Sequence, residues 1–330
     1  MRRTLLSLAA IGLVFTMGAA SGGILQLEAP GGIEYERDGA IVASGLPGKP
    51  VVAVLDEYEI RGDSLRYDGR RRVAAITGDV LLRHRRAEGA RVIEAGAMVF
   101  SLADEIAQAE GGVRVEEGDF VLEAQTVKAD LKEGSYAATG RPARARSAGN
   151  LFAAGAIRYD RASNRLTAEN NVVWEMADSE EGKRVLTASR CEYDRNQGTA
   201  EAVKVEIAAG EFLIRGERLL YQEAADRFTL MEETCVRQGE RELAAPLLSW
   251  EPARGLFIAS GGASFRDGSY SGTAEELRYE AGLERVMLLG GARLARGRDV
   301  LTGAEILYNL KEGSLRVSGG AKASIALEEG

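Results

Sequence analysis

The sequence predicts an all-β fold of stacked repeats, and three observations predict it. An aromatic residue recurs about every 29 residues. Apolar residues accompany it at separations of two. A fixed small residue lies where the parity of that alternation breaks. Counting back from Tyr308, the anchor positions are Tyr279, Trp250, Tyr221, Tyr193, Tyr159, Ala129, Phe100, Tyr67 and Tyr35, with spacings of 29, 29, 29, 28, 34, 30, 29, 33 and 32. A fixed period of this length is the mark of a repeat architecture, in which each unit buries its apolar face only by stacking on its neighbours.

The columns around the anchor give each element in turn. Seven residues before it stand Ile60, Ile93, Leu122, Phe152, Leu186, Ile214, Leu243 and Leu301, with Gly272 the one exception. Five before it, from the second repeat on, every position is Gly or Ala: Gly62, Ala95, Ala124, Ala154, Ala188, Gly216, Ala245, Ala274 and Gly303. Two before it the residue is apolar again: Ile33, Leu65, Met98, Val127, Ile157, Cys191, Leu219, Leu248, Leu277 and Ile306. Positions seven and two before the anchor have opposite parity, and a strand changes faces only at a bulge or corner, where a small residue fits.

After the anchor come polar turns such as DRASNR, DRNQG and NLKEG, and then apolar pairs at seven and nine: Ala74 with Ile76, Leu166 with Ala168, Phe228 with Leu230, Phe257 with Ala259, Val286 with Leu288, Leu315 with Val317. Gly follows at eleven in Gly78, Gly111, Gly140, Gly261, Gly290 and Gly319. Each repeat therefore reads as two or three short strands with one apolar and one charged face. No stretch keeps a helical period with caps. No domain boundary is visible, so residues 24–330 read as one continuous array.

Residues 1–23, MRRTLLSLAAIGLVFTMGAASGG, have a basic start, an apolar run from Leu5 to Met17 and small residues after it. This is the pattern of a secretory signal peptide. The uncharged run continues to Leu25, so an N-terminal membrane anchor stays open as the alternative. Either way the rest is exported.

The formal net charge is −8, and −10 once Arg2 and Arg3 are removed, which speaks against nucleic acid as a partner. Arg66, Arg70, Arg71, Arg72, Arg83, Arg85, Arg86 and Arg91 form a local basic run, read as a solvated face in preference to a patch that meets phosphates of an anionic partner. His84 is the only histidine, which excludes histidine triads and clustered histidine metal sites. No nucleophile elbow and no phosphate-binding loop is present. Asp68, Asp130, Asp160 and Asp194, just after the anchor, read as turn residues rather than catalytic carboxylates. The reading is a protein that is not an enzyme and carries no cofactor and no metal. Cys191 and Cys235 stand where an exported chain can form a disulfide. A buried free thiol at Cys191 stays equally open.

The segments RGDSLRYDGRRRVAAITGDVLL, AAGAIRYDRASNRLTAENNVVW and LTGAEILYNLKEGSLRVSGGA resemble the repeats of the OstA-like (LptA-like) family of lipopolysaccharide-transport proteins. The resemblance runs from about residue 25 to 330. It implies a periplasmic, elongated, open twisted β-jellyroll whose apolar trough cradles lipid A acyl chains. It also implies a bridge from inner to outer membrane, with inner- and outer-membrane transport proteins joined by β-strand addition at the edges and head-to-tail self-association. The chain departs from the usual single-module member in its greater length and its two cysteines, and no outer-membrane barrel follows the repeats.

Under that resemblance the lining of the trough comes from three columns. Two before the anchor it is Leu65, Met98, Val127, Ile157, Leu219, Leu248, Leu277 and Ile306. At the anchor it is Tyr67, Phe100, Tyr159, Tyr193, Tyr221, Trp250, Tyr279 and Tyr308. Seven after it is Phe228, Phe257, Val286 and Leu315. Periodicity alone favours a self-packed core, the resemblance and the export signal reverse that preference, and the competing reading is an exported structural solenoid without lipid cargo.

Overall fold

A computed structural model describes residues 25–55, 57–86, 89–177 and 182–326. The segment at 1–23 lies outside the described residues. The chain divides into two compact units, Met1–Ser147 and Ala148–Gly330.

In the first unit the strands are β1 (Leu25–Glu28), β2 (Gly32–Tyr35), β3 (Ile41–Ser44), β4 (Val51–Leu55), β5 (Tyr58–Gly62), β6 (Ser64–Asp68), β7 (Val73–Arg86), β8 (Gly89–Ser101), β9 (Ile106–Glu117), β10 (Phe120–Asp130) and β11 (Ser135–Ser147). In the second they are β12 (Asn150–Asp160), β13 (Arg165–Glu175), β14 (Arg184–Asp194), β15 (Thr199–Ala209), β16 (Phe212–Gln222), β17 (Arg227–Gln238), β18 (Arg241–Glu251), β19 (Leu256–Asp267), β20 (Tyr270–Glu280), β21 (Arg285–Arg296), β22 (Asp299–Asn309), β23 (Ser314–Ser318) and β24 (Lys322–Ser324). Three short 3-10 turns, Glu223–Ala225, Pro252–Arg254 and Ala281–Leu283, join strands in the second unit.

Within each unit the pairing is antiparallel, each long strand running beside the next in sequence. From β8 onward a repeat is a pair of long strands rather than two or three short ones. The hydrogen-bond ladder carries on past the parity break, so one strand serves two walls. β16 shows how: Phe212–Arg215 and Arg218–Gln222 both pair with β17, with the register shifted between them. Ile214 and Gly216 are buried, then Leu219 and Tyr221, so the inward face changes parity beside Gly216. At the start of the fold the walls are separate strands. β5 pairs with the far half of β7 and β6 with its near half, with Asp63 between them.

The strand that follows the anchor turns its corner by a different device. Two consecutive residues at eleven and twelve past the anchor take left-handed backbone angles: Gly111 and Gly112, Asn170 and Asn171, Glu232 and Glu233, Gly261 and Gly262, Gly290 and Gly291. A positive φ is free of steric cost for glycine and tolerable for asparagine, which is why glycine recurs in that column.

The result in each unit is an all-β, two-walled open jellyroll. Its walls are continuous at the corner. Among the described residues no strand pairing joins them at the opposite side, the mouth. β2 does not share the interior: Ile33 and Tyr35 are exposed, and among the described residues β2 pairs with β3 alone.

Candidate functional site

The interior of the second unit is built from two parallel ladders on one wall. In the first, Tyr221 stands opposite Phe228, Phe228 opposite Trp250, Trp250 opposite Phe257, Phe257 opposite Tyr279, Tyr279 opposite Val286 and Val286 opposite Tyr308. In the second, Leu219, Leu230, Leu248, Ala259, Leu277, Leu288 and Ile306 follow in the same register. The anchor column and the column seven beyond it are therefore one row, because the turn between them folds each strand back onto the next. Ring centroids along the first row are 4.5 Å apart for Tyr221–Phe228, 4.8 Å for Phe228–Trp250 and 5.7 Å for Trp250–Phe257. Contacts of this kind add about 0.5–1.5 kcal/mol to the burial of the rings.

The facing wall carries the column seven before the anchor. Ile214, Val236, Leu243 and Phe265 succeed one another in register. The walls touch: Phe212 lies 5.0 Å from Phe257, and Phe265 lies 6.4 Å from Tyr308. Gly272, the exception in its column, is where Leu288 of the other wall arrives. A Cβ atom there would meet Leu288 Cδ2 at 2.7 Å.

Most of the predicted lining residues are buried within their own unit, those from Leu65 to Val127 in the first and those from Ile157 to Tyr308 in the second. Leu65, Met98, Phe100, Val127, Ile157, Tyr159, Tyr193, Leu219, Tyr221, Phe228, Leu248, Trp250, Phe257, Leu277, Tyr279, Val286, Ile306 and Tyr308 are buried, while Tyr67 and Leu315 are half-exposed. Leu315 lies on β23, which pairs with β22 alone. The interior is closely packed: Phe257, Leu277 and Leu288 are 0% exposed. A cavity of about 10 Å³ lies beside Val236, Leu243 and Phe265 in the second unit, and another of about 10 Å³ beside Leu25, Ile60 and Leu65 in the first.

The mouth is polar. Anchor tyrosines put their rings in the apolar row and their hydroxyls at the rim, which explains why Tyr rather than Phe dominates the column. Tyr193 donates to Glu223 Oε2 at 2.9 Å, Tyr221 to Asp226 Oδ1 at 3.4 Å, and Tyr279 to Gln238 Oε1. Burial pushes the Tyr193 phenol up, with Glu223 adding to it, and burial with the nearby Asp226 carboxylate pushes Tyr221 up to about 12.

Sequence reading missed a column nine residues before the anchor. It runs Tyr58, Arg91, Phe120, Asn150, Arg184, Phe212, Arg241, Tyr270 and Asp299. These residues open the inward face of one wall at the rim, and cations there reach toward the other wall. In the first unit Arg91, 1% exposed, donates to the Leu131 carbonyl at 2.6 Å and stands 2.9 Å from Glu117. Glu117 also accepts from Tyr136 at 2.7 Å. In the second unit Arg184 pairs with Asp226, and its guanidinium lies 5.5 Å from the Phe228 ring centre. Asn150 accepts from Trp174 Nε1 at 2.9 Å. The signal was present in the spacing, but a column mixing arginine with aromatics does not read as inward-facing.

The remaining charged motifs are structural. Asp68, Asp160 and Asp194 accept from backbone N–H groups two residues ahead in their turns, and Asp130 from one three ahead. Within the basic run, Arg66 pairs with Glu36 and Asp38, and Arg85 with Glu59, on the outer face. Among the residues of that run whose burial is described, Arg91 alone is buried. Both cysteines are free thiols: Cys191 faces the interior, while Cys235 sits between the inward Thr234 and Val236 and points the other way. The pair left open by the sequence therefore stands on opposite faces, with no disulfide.

Residues 235–314, which hold the most regular part of these ladders, match the family model described as LptA/(LptD N-terminal domain) LPS transport protein. That segment is OstA-like. No curated protein matches the chain. Among solved structures, one similar chain is LptH, the LptA homologous periplasmic component of the conserved lipopolysaccharide transport device from Pseudomonas aeruginosa. It is 12% identical, with a TM-score of 0.30, covering 44% of this chain and 95% of that one. The OstA-like segment begins in β17 and ends in β23, so it takes in both walls, the aromatic row from Trp250 to Tyr308 and the rim contact of Tyr279 with Gln238.

Proposed function

We propose that the protein works in lipopolysaccharide transport, holding lipid A acyl chains or those of a similar amphipathic lipid between its two walls. In this reading it is exported to the periplasm and forms part of a bridge between the membranes. One observation carries it: a row of apolar side chains, in register and without interruption from Tyr221 to Tyr308, inside repeats of OstA-like sequence. Each methylene taken out of water contributes about 0.8 kcal/mol. A lipid moving along equivalent rungs exchanges like for like, which suits carriage better than tight retention.

The entry route follows from how the walls are joined. The corner is main-chain ladder, whereas the mouth is held by side chains. Acyl chains enter by parting the mouth and replacing wall-to-wall contacts with wall-to-lipid contacts. Strand edges such as exposed β2 and β24 offer main-chain groups for addition of a neighbouring chain, whether a membrane-bound transport partner or a second copy.

The close packing of Phe257, Leu277 and Leu288 favours a second reading, an exported scaffold without cargo. Photo-crosslinking separates the two. A photoreactive residue at Leu219 or Leu277 faces inward, and one at Arg218 or Arg278 faces outward. Lipopolysaccharide adducts in cells at the inward positions only are expected. A folded protein without adducts at any of the four positions would leave the scaffold.

A further inference from the structure

Arg184 is the least expected side chain in the mouth of the second unit. It is the first residue of β14 and is only 7% exposed at the side chain. It crosses from the rim of one wall to that of the other, where its Nη1 donates to Asp226 Oδ1, 42 residues on. Its guanidinium overhangs Phe228, so it closes the aromatic row from above. Its Nε is buried and, among the described residues, has no acceptor. Asp226 is held in place with some strain: it ends the Glu223–Ala225 turn at a φ of 40°, a left-handed angle for a residue other than glycine.

A buried guanidinium with one nitrogen unsatisfied is unfavourable unless something else completes its bonding. Among the described residues its one anion is a carboxylate on a surface turn, 26% exposed at the side chain and shared with the Tyr221 hydroxyl. Directly beneath the guanidinium begins the apolar row. The chemistry on offer is thus an oxyanion site joined to a channel for hydrocarbon.

We infer that Arg184 is the headgroup site of the second unit, taking a phosphate carried by an amphipathic lipid, with Asp226 as the resident anion that the phosphate displaces. The inference rests on the lipid-carrier reading and adds to it the class of ligand and the residue that selects it. A phosphate offers several strong acceptor oxygens, so it satisfies Nε and Nη1 together, which Asp226 as placed does not. Displacing Asp226 also unties the rim contact from Arg184 to the opposite wall. Recognition of the headgroup and opening of the mouth are then the same event. A lipid without phosphate gains only the apolar term and leaves the tie closed.

The test uses the full chain and three probes: bisphosphorylated lipid A, the same lipid dephosphorylated, and inorganic phosphate. Affinities are measured for wild type, Arg184→Gln and Asp226→Asn, with thermal melts to establish folding. Wild type is expected to bind the phosphorylated lipid roughly tenfold more tightly, the scale of charge-assisted hydrogen bonds. Arg184→Gln removes that preference and leaves the dephosphorylated lipid unchanged. Asp226→Asn, which frees the guanidinium, strengthens binding of the phosphorylated lipid several-fold and carries the test if the arginine variant does not fold. Equal affinity of wild type for both lipids, or no change in folded variants, overturns the Arg184 site while leaving the carrier reading intact. Displacement of the phosphorylated lipid by inorganic phosphate at like concentration overturns it too, in favour of a free-anion site. A folded wild type that binds neither lipid overturns the carrier reading and this inference together.

Discussion

Gly303 on β22 and Val317 on β23, fourteen residues apart, meet so closely that a Cβ atom on Gly303 would come 2.6 Å from Val317 Cγ1. The same separation joins Gly216 to Leu230, at 3.1 Å from a built Cβ to the leucine Cβ, and Gly62 to Ile76. The small residue five before the anchor is therefore small because the apolar residue nine after it packs against its α-carbon where the walls converge. Gly303→Ala is expected to destabilise by about 1–3 kcal/mol, as overpacked cores do. Gly216→Ala, with a looser approach, should cost less than Gly303→Ala. Urea unfolding of both variants, with Gly303→Ala repeated in a Val317→Ala background, checks the account. A Gly303→Ala penalty that Val317→Ala does not lessen would separate the column from this contact.

Glu232 and Glu233 occupy a corner that other repeats give to glycine pairs such as Gly261 and Gly262. Their φ angles are 63° and 51°, where a Cβ crowds the backbone. Relieving that strain outweighs the extra freedom glycine has when unfolded. Glu232→Gly and Glu233→Gly should each raise stability by about 0.5–1 kcal/mol, and Gly261→Ala should lower it by a similar amount. Chemical denaturation midpoints read the sign directly. Lower stability in both glycine variants would mean that the glutamate side chains contribute more than their backbone costs.

Much of this fold is legible in sequence because a strand writes its exposure in alternation. Leu219 and Tyr221 announce one inward face and Ile214 another, and Gly216 marks where they disagree. What escaped was whatever depended on pairing across the two walls. The second strand corner was half visible as a glycine column, but Asn170 with Asn171 and Glu232 with Glu233 fill it in other repeats, and only their backbone angles reveal the equivalence. Arg91 was read as part of a solvated basic run, since its neighbours Arg66 and Arg85 do face water. Its partners Leu131 and Glu117 lie 40 and 26 residues away, beyond any local pattern.

The two cysteines should differ sharply toward thiol reagents. Burial pushes the Cys191 thiol up to about 12, with Glu192 adding to it, so its thiolate is both scarce and shielded near neutral pH. Cys235 is also raised, by burial first, yet it is half-exposed on the outer face. Iodoacetamide on the native protein should label Cys235 and spare Cys191, with both labelled after denaturation. Mass spectrometry of the digests settles it, and native labelling of Cys191 would contradict the inward placement of its column.

The anchor tyrosines predict loss of stability in alkali. Burial pushes the phenols of Tyr193, Tyr279 and Tyr308 above their ordinary 10, and takes Tyr221 to about 12. A neutral acid whose folded value is raised favours the folded state fully below its unfolded value. That contribution fades as pH climbs through the folded one. The window therefore opens near pH 10 and, for Tyr221, closes near 12. Phenolate absorbance of the buried tyrosines should then rise together with loss of far-ultraviolet dichroism rather than ahead of it. Tyr221→Phe, which cannot ionise, should move the alkaline midpoint to higher pH while giving up its hydrogen bond to Asp226. Buried tyrosines that titrate near 10 with the sheet intact would show that water reaches the aromatic row in the resting protein, and that the mouth stands open.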